Sequence, residues 1–99
     1  MFRHVVLLRW NESATPEARR AVVDALEALP AAIPEIRGYR VGADAGLAPE
    51  GNSDLAIVAD FDDVAGYLVY RDHPTHQDVI ARLIRPIVAA RAAVQHELD

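Results

Sequence analysis

Cysteine and lysine are both missing from these 99 residues. Without cysteine there is no disulfide, no thiolate metal site and no thiol nucleophile. Without lysine, all the basic charge rests on ten arginines, spread from Arg3 to Arg91 with no basic stripe, against fifteen acids, for a net charge of −5. Nucleic-acid binding depends on neutralising phosphates, so it is not expected, and neither is an anionic membrane surface. Long apolar runs are absent as well. Nothing approaches the ~20 residues of a membrane span, and the opening MFRHVVLLRW breaks its apolar stretch at Arg9 and Trp10, too soon for a secretion signal. A cytoplasmic location is the expectation. No GxSxG elbow, phosphate loop or dinucleotide fingerprint occurs, so no nucleotide cofactor is expected.

Hydrophobic residues make up 52% of the chain, enough for one compact domain over residues 1–99 and one core. Phe2 to Trp10 is rich in β-branched and aromatic residues, with apolar side chains in both alternation phases: Phe2, Val6, Leu8 and Trp10 in one, Val5 and Leu7 in the other. Such a strand is covered on both faces. Thr15-Pro16-Glu17 starts a helix, with Thr15 as the cap and Pro16 at the first helical position. Val22, Leu26, Leu29 and Ile33 follow at spacings of three and four, and Pro30 and Pro34 are expected to end it.

A second strand is predicted over Ile36 to Ala43 and a third over Asp54 to Phe61, again apolar in both phases. Asp62 or Asp63 caps a short helix running through Tyr70, and Pro74 opens another that ends at Pro86. Ala90 to Leu98 alternates Ala92, Val94, His96 and Leu98 with polar Arg91, Gln95 and Glu97, as a half-covered strand does. The order β-α-β-β-α-β is that of the ferredoxin-like α+β fold: a four-stranded antiparallel sheet with both helices on one face. The bare second face, apolar in strands one and three, calls for a cover, and a second copy of the chain is the simplest one.

The stretch YRDHPTHQD, Tyr70 to Asp78, holds two of the four histidines. His73 precedes a proline and is pushed out of helical geometry, which suits a helix cap. His76 lies in the first turn, on the same face as Val79, Ile80 and Leu83, so it points inward. On spacing alone the simpler reading is a half-buried histidine bonded to a backbone carbonyl, and a cavity residue is the other. Tyr70 reads most simply as a core aromatic with its hydroxyl at the rim. His4 sits among Phe2, Val6 and Leu8, and it falls opposite His96 if paired residue numbers in strands one and four sum near 100; a slip of one residue would undo this. HPTH is a weak zinc motif, since zinc wants three protein ligands and this supplies two at best, one of them a cap. Asp44, Glu50 and Asp54 offer loop oxygens, but such acids are usually solvated, and no metal site is assigned.

The stretches HVVLLRW, DLAIVADFDD, YRDHPTHQD and RPIVAARAAVQHEL together resemble the stress-responsive A/B barrel, or dimeric α+β barrel, family from end to end. The resemblance implies a homodimer whose two sheets pack face to face into a barrel, with a small cavity in each subunit between sheet and helices. It also implies, from the family's cofactor-free polyketide cyclases, an acid/base histidine at His76 assisted by Tyr70, with His4 facing the cavity. His96, Tyr67 and Arg71 are further candidates for contact with a small molecule. A divalent ion near the dimer interface stays open. The function expected is binding of a small carbonyl or polyketide-like ligand, with cyclase-type proton transfer and no cofactor. Two other readings stand beside it: a non-catalytic stress-responsive or ligand-binding protein with structural histidines, and a cofactor-free monooxygenase.

Overall fold

The computed structural model of the chain describes residues 1–98. Strand β1 (Phe2–Trp10) leads to helix α1 (Pro16–Glu27), a short helix α2 (Leu29–Ala32), and strands β2 (Ile36–Ala43) and β3 (Leu55–Phe61). Helices α3 (Val64–Asp72) and α4 (Pro74–Val79) follow, then a π turn over Ile80–Ile84 and the last strand, β4 (Val88–Glu97). The sheet is antiparallel in the order β2-β3-β1-β4, which is the ferredoxin-like arrangement.

Local chemistry sets the helix boundaries. Thr15 caps α1 through its side chain, which accepts from the Ala18 amide at 3.1 Å, and Asp63 caps α3 by accepting from Gly66 at 2.9 Å. Pro30 departs from expectation. The first helix already ends at Glu27, and Pro30 sits in the opening turn of α2, where its missing N–H leaves nothing unpaired. Termination falls to Pro34, which forces Ile33 into an extended conformation.

The core lies between the sheet and the helices. Val6 and Leu8 of β1 and Leu55, Ile57, Ala59 and Phe61 of β3 are buried against Val22, Leu26, Leu29, Ile33 and Tyr70. The pairing of Val6 with Ile57 and Leu8 with Leu55 keeps each apolar phase on one face. The opposite face carries Val5, Leu7, Val58 and Val94 in register, flanked by an Arg3–Asp60 pair that makes two hydrogen bonds at 2.7 and 2.9 Å. Leu7 remains 40% and Val94 54% exposed in the single chain. Asp54 ties the far end of the sheet by accepting from the Trp10 amide at 2.8 Å while its own amide donates to Leu8, so its carboxylate has a structural role.

Phe61 is fully buried and packs its ring 5.3 Å from that of Tyr70 and 5.8 Å from that of Tyr67. Phe61→Ala is expected to cost about 3–5 kcal/mol, read from urea unfolding at fixed protein concentration; a loss under ~1 kcal/mol would show that this cluster does not hold helix to sheet.

Candidate active site

A cavity of about 370 Å³ opens between the sheet and the helices, within the range that holds small organic ligands. Its polar lining includes His4 on β1, Tyr67 and Tyr70 on α3, His76 on α4 and Arg91 on β4. Val6, Leu8, Ile57, Ile80 and Ile84 supply apolar walls. Arg71, Gln77, Arg85 and Arg91 are the cavity's exposed lining residues, the last on the edge strand β4.

The His73-Pro74 step builds one end. Proline pushes its predecessor toward extended geometry, and His73 adopts φ −62° and ψ 133° between the two helices. Its Nδ1 accepts from the Thr75 amide at 3.1 Å, so this histidine is a cap. The bend folds α4 back on α3 and lays the His76 ring on that of Tyr70, with centroids 4.0 Å apart and planes inclined by 27°. His76 Nδ1 donates to the backbone carbonyl of Arg71 at 3.1 Å. Both readings that the spacing left open are therefore realised in one side chain: a histidine bonded to a carbonyl that also lines a cavity. With the proton held on Nδ1, the lone pair of the neutral ring is on Nε2.

His4 has the opposite tautomer. The amide Nε2 of Gln95, directly across the strand pair, donates to His4 Nδ1 at 2.8 Å. An amide nitrogen only donates, so His4 carries its proton on Nε2 and presents a donor. Its ring lies 5.0 Å from Tyr67 and 6.1 Å from Tyr70. Burial, followed by the positive charges of Arg91 and His76, holds its pKa down at about 4. His76 is shifted in the same direction, mainly by burial, with the carbonyls of Arg71 and Tyr70 opposing it. Both rings are uncharged at neutral pH.

Tyr70 is buried and bonds its hydroxyl to that of Tyr39 on β2 at 2.9 Å. In a hydroxyl pair one group donates and the other keeps a proton for a third partner. Burial raises both pKa values, Tyr70 to about 12 with the bond from Tyr39 pulling it back, and Tyr39 further.

Two sequence expectations need correction. β1 and β4 pair His4 with Gln95 and Arg3 with His96, one residue from the register that would join the two histidines. A single step reverses the side of the sheet, so His96 stands with Arg3 and Asp60 on the face away from the cavity, and its Nδ1 meets the backbone carbonyl of Glu97. Arg71 borders the cavity, but its guanidinium is turned to Asp72 at 2.9 and 3.0 Å; its carbonyl is what serves the site. Four residues escaped the sequence reading: Tyr39, Arg85, Gln95 and Arg91. Tyr39 shares a phase with Val41 in β2, which was the available signal. Gln95 and Arg91 belong to the polar phase of β4, the one assigned to solvent. No group of three or more His, Asp or Glu is placed to hold a metal ion among the described residues.

The family model of the stress responsive A/B barrel domain matches residues 2–97. The chain belongs to the stress responsive A/B barrel domain family. No curated protein matches it. Among solved structures, a dimeric ferredoxin-like protein of unknown function from Thermobifida fusca is 49% identical, with a TM-score of 0.89 over 98% of this chain and 90% of that one. A dimeric protein of unknown function from Bacteroides fragilis is 28% identical, with a TM-score of 0.81 over 98% of this chain and 95% of that one. A hydroxynitrile lyase from Passiflora edulis shares 18% identity and a TM-score of 0.86 over 99% of this chain and 93% of that one, a likeness of fold alone. No helix of this A/B barrel domain, among the described residues, is long and apolar enough to cross a membrane.

The neutral histidines make the domain acid-sensitive. His4 has a folded pKa of about 4 against 6.5 when unfolded, so the unfolded chain takes up the proton first as pH falls. Its contribution to stability is complete above pH 6.5 and is lost progressively down to about pH 4, with His76 adding in the same direction. Urea midpoints measured from pH 7.5 to 4 are expected to fall through this window, and more gently in His4→Gln; an unchanged slope in that variant would refute the assignment.

Proposed function

We propose that this chain is a cofactor-free acid/base protein acting on a small carbonyl compound, as a homodimer. The observation that carries the reading is the convergence of a base and two donors on one cavity: Nε2 of His76 as acceptor, Nε2–H of His4 and the hydroxyl of Tyr70 as donors. Only Tyr70 of the hydroxyl pair lines the cavity, so the productive arrangement has Tyr39 donating to Tyr70 and Tyr70 donating to the ligand.

The chemistry suited to this set is aldol-type addition and its reverse. His76 Nε2 removes a proton from carbon beside a carbonyl, and the negative charge developing on oxygen is met by Tyr70 and His4. The carbon nucleophile then adds to a second carbonyl carbon, and the new alkoxide takes the proton back from the His76 imidazolium. In the lyase direction His76 takes the hydroxyl proton, the carbon–carbon bond breaks to give a carbonyl, and its electron pair leaves with the enolate or cyanide carbon, which takes the proton back from the imidazolium. Ring closure of a polyketide-like chain and cleavage of a cyanohydrin both contain this step, and the Passiflora fold relative is a hydroxynitrile lyase. Depressing the basicity of His76 keeps it unprotonated at neutral pH, and its ring stack on Tyr70 holds base and donor side by side.

The apolar second face supports the homodimer. Val5, Leu7, Val58 and Val94 form a contiguous patch on it, and the 49% identical Thermobifida protein is dimeric.

Two measurements test the reading. Release of cyanide from mandelonitrile, and solvent-deuterium exchange into acetophenone, report the two directions of the step. His76→Ala is expected to lower the active one by about 10²-fold or more while leaving the oligomer intact; unchanged turnover would remove His76 from the chemistry. The rate should rise with pH through the acid range and level off once His76 is neutral. Separately, Val94→Asp is expected to yield a monomer in sedimentation equilibrium, and a dimer persisting in that variant would argue against the sheet-to-sheet interface.

A further inference from the structure

The charge around the cavity is one-sided. The chain carries a net charge of −5, yet the ionisable groups other than tyrosine that line the cavity are His4, His76 and three arginines, Arg71, Arg85 and Arg91, with no carboxylate among them. Arg71 is spent on Asp72. Arg85 and Arg91 form no ion pair among the described residues, whereas Arg3, Arg37, Arg71 and Arg82 each do. Both line the cavity and are exposed, and the field of Arg91 reaches inward far enough to lower the basicity of both cavity histidines and to ease ionisation of Tyr70.

The backbone sets these two arginines in place. The amide of Arg85 donates to the carbonyl of Ile80 at 2.9 Å, a bond spanning five residues instead of four. That π turn brings Arg85 back over Ile80, on the cavity side, where a regular helix would carry it round and away. Turns of this kind collect at functional sites. Arg91 is paired with Leu8 and so shares the helix-facing side of the sheet with Gln95 and His4.

Arg91 and Gln95 are four residues apart on one strand, ~13 Å along it. The backbone thus sets a proton-transfer group, at His4, Tyr70 and His76, apart from the arginine pair, and Val6, Ile80 and Ile84 line the cavity with them. The geometry points to an elongated oxo-carboxylic acid as the ligand: its carbonyl at the histidines, an apolar stretch of several carbons along the isoleucines, and its carboxylate held at the mouth by Arg85 and Arg91. This assignment rests on the cavity reading above and adds the class of molecule that fills it. Guanidinium groups meet a carboxylate through paired hydrogen bonds, and in a chain of net charge −5 two cavity-lining arginines outside any ion pair are a point of attraction for a small anion.

Calorimetric titration of the full chain with 5-oxo-5-phenylpentanoate and with its methyl ester tests the assignment, because the two differ only in the charged end. At low salt the acid is expected to bind about tenfold or more tightly than the ester. Added sodium chloride should weaken the acid alone, and inorganic phosphate should compete with the acid while leaving the ester unaffected. In the Arg85→Gln/Arg91→Gln variant, whose exposed substitutions leave the core untouched, the preference for the acid over the ester should vanish. Equal binding of acid and ester by the wild type, or a preference that survives the double substitution, overturns the anionic-end assignment and leaves the carbonyl site standing. Failure of both compounds to bind overturns the assignment and the cavity reading together.

Discussion

The register between β1 and β4 is the constraint on which the molecule depends. By setting His4 across from Gln95, it puts a histidine, an amide and an arginine on the cavity side and leaves Val5, Leu7 and Val94 on the other. The same pairing sets the protonation of His4, because the Gln95 amide nitrogen that meets its Nδ1 donates. Burial of Val6 and Leu8 enforces it: a shift by one residue would bring Arg9 and Leu7 into the core and turn out two of the strand's three buried residues.

Against that fixed sheet, the helices supply the reactive partner. Pro74 makes the bend, His73 caps it, and the result is a contact between two rings six residues apart in sequence. The site therefore needs no long loop. Its groups sit on strands and helices whose packing already costs conformational freedom for reasons of stability, so little further ordering is left for a ligand to supply.

The strand and helix pattern was legible because alternation and capping are local. Thr15, Asp63 and Pro74 announce their helices, and the two-sided apolar phases of β1 and β3 announce a sheet covered on both faces. The YRDHPTHQD stretch likewise disclosed its cap and its inward histidine. Pairing between distant strands was not legible to one residue, and that was enough to misplace His96 and to miss Gln95. The polar phase of β4 misled for a physical reason: a strand with polar groups toward a cavity on one side and apolar groups on the other has the same alternation as a surface strand, with inside and outside exchanged. Tyr39 stayed hidden because its value lies in one hydroxyl contact, 31 residues away in sequence, that no periodicity encodes. The π turn is a further case, since Ile80 to Arg85 reads as ordinary helix until its hydrogen bonds are traced.

The hydroxyl contact between Tyr39 and Tyr70 reaches beyond the two side chains. Tyr39 belongs to one edge strand and Gln95 to the other. Between them run Tyr70 and His4, ring against ring, so a band of polar and aromatic groups crosses the whole width of the sheet on its inner side. It acts as a transverse brace above the backbone ladder. The spacing of the reactive groups is thereby tied to the twist of the sheet, and any event that flattens or opens one edge is felt at the opposite edge through four side chains.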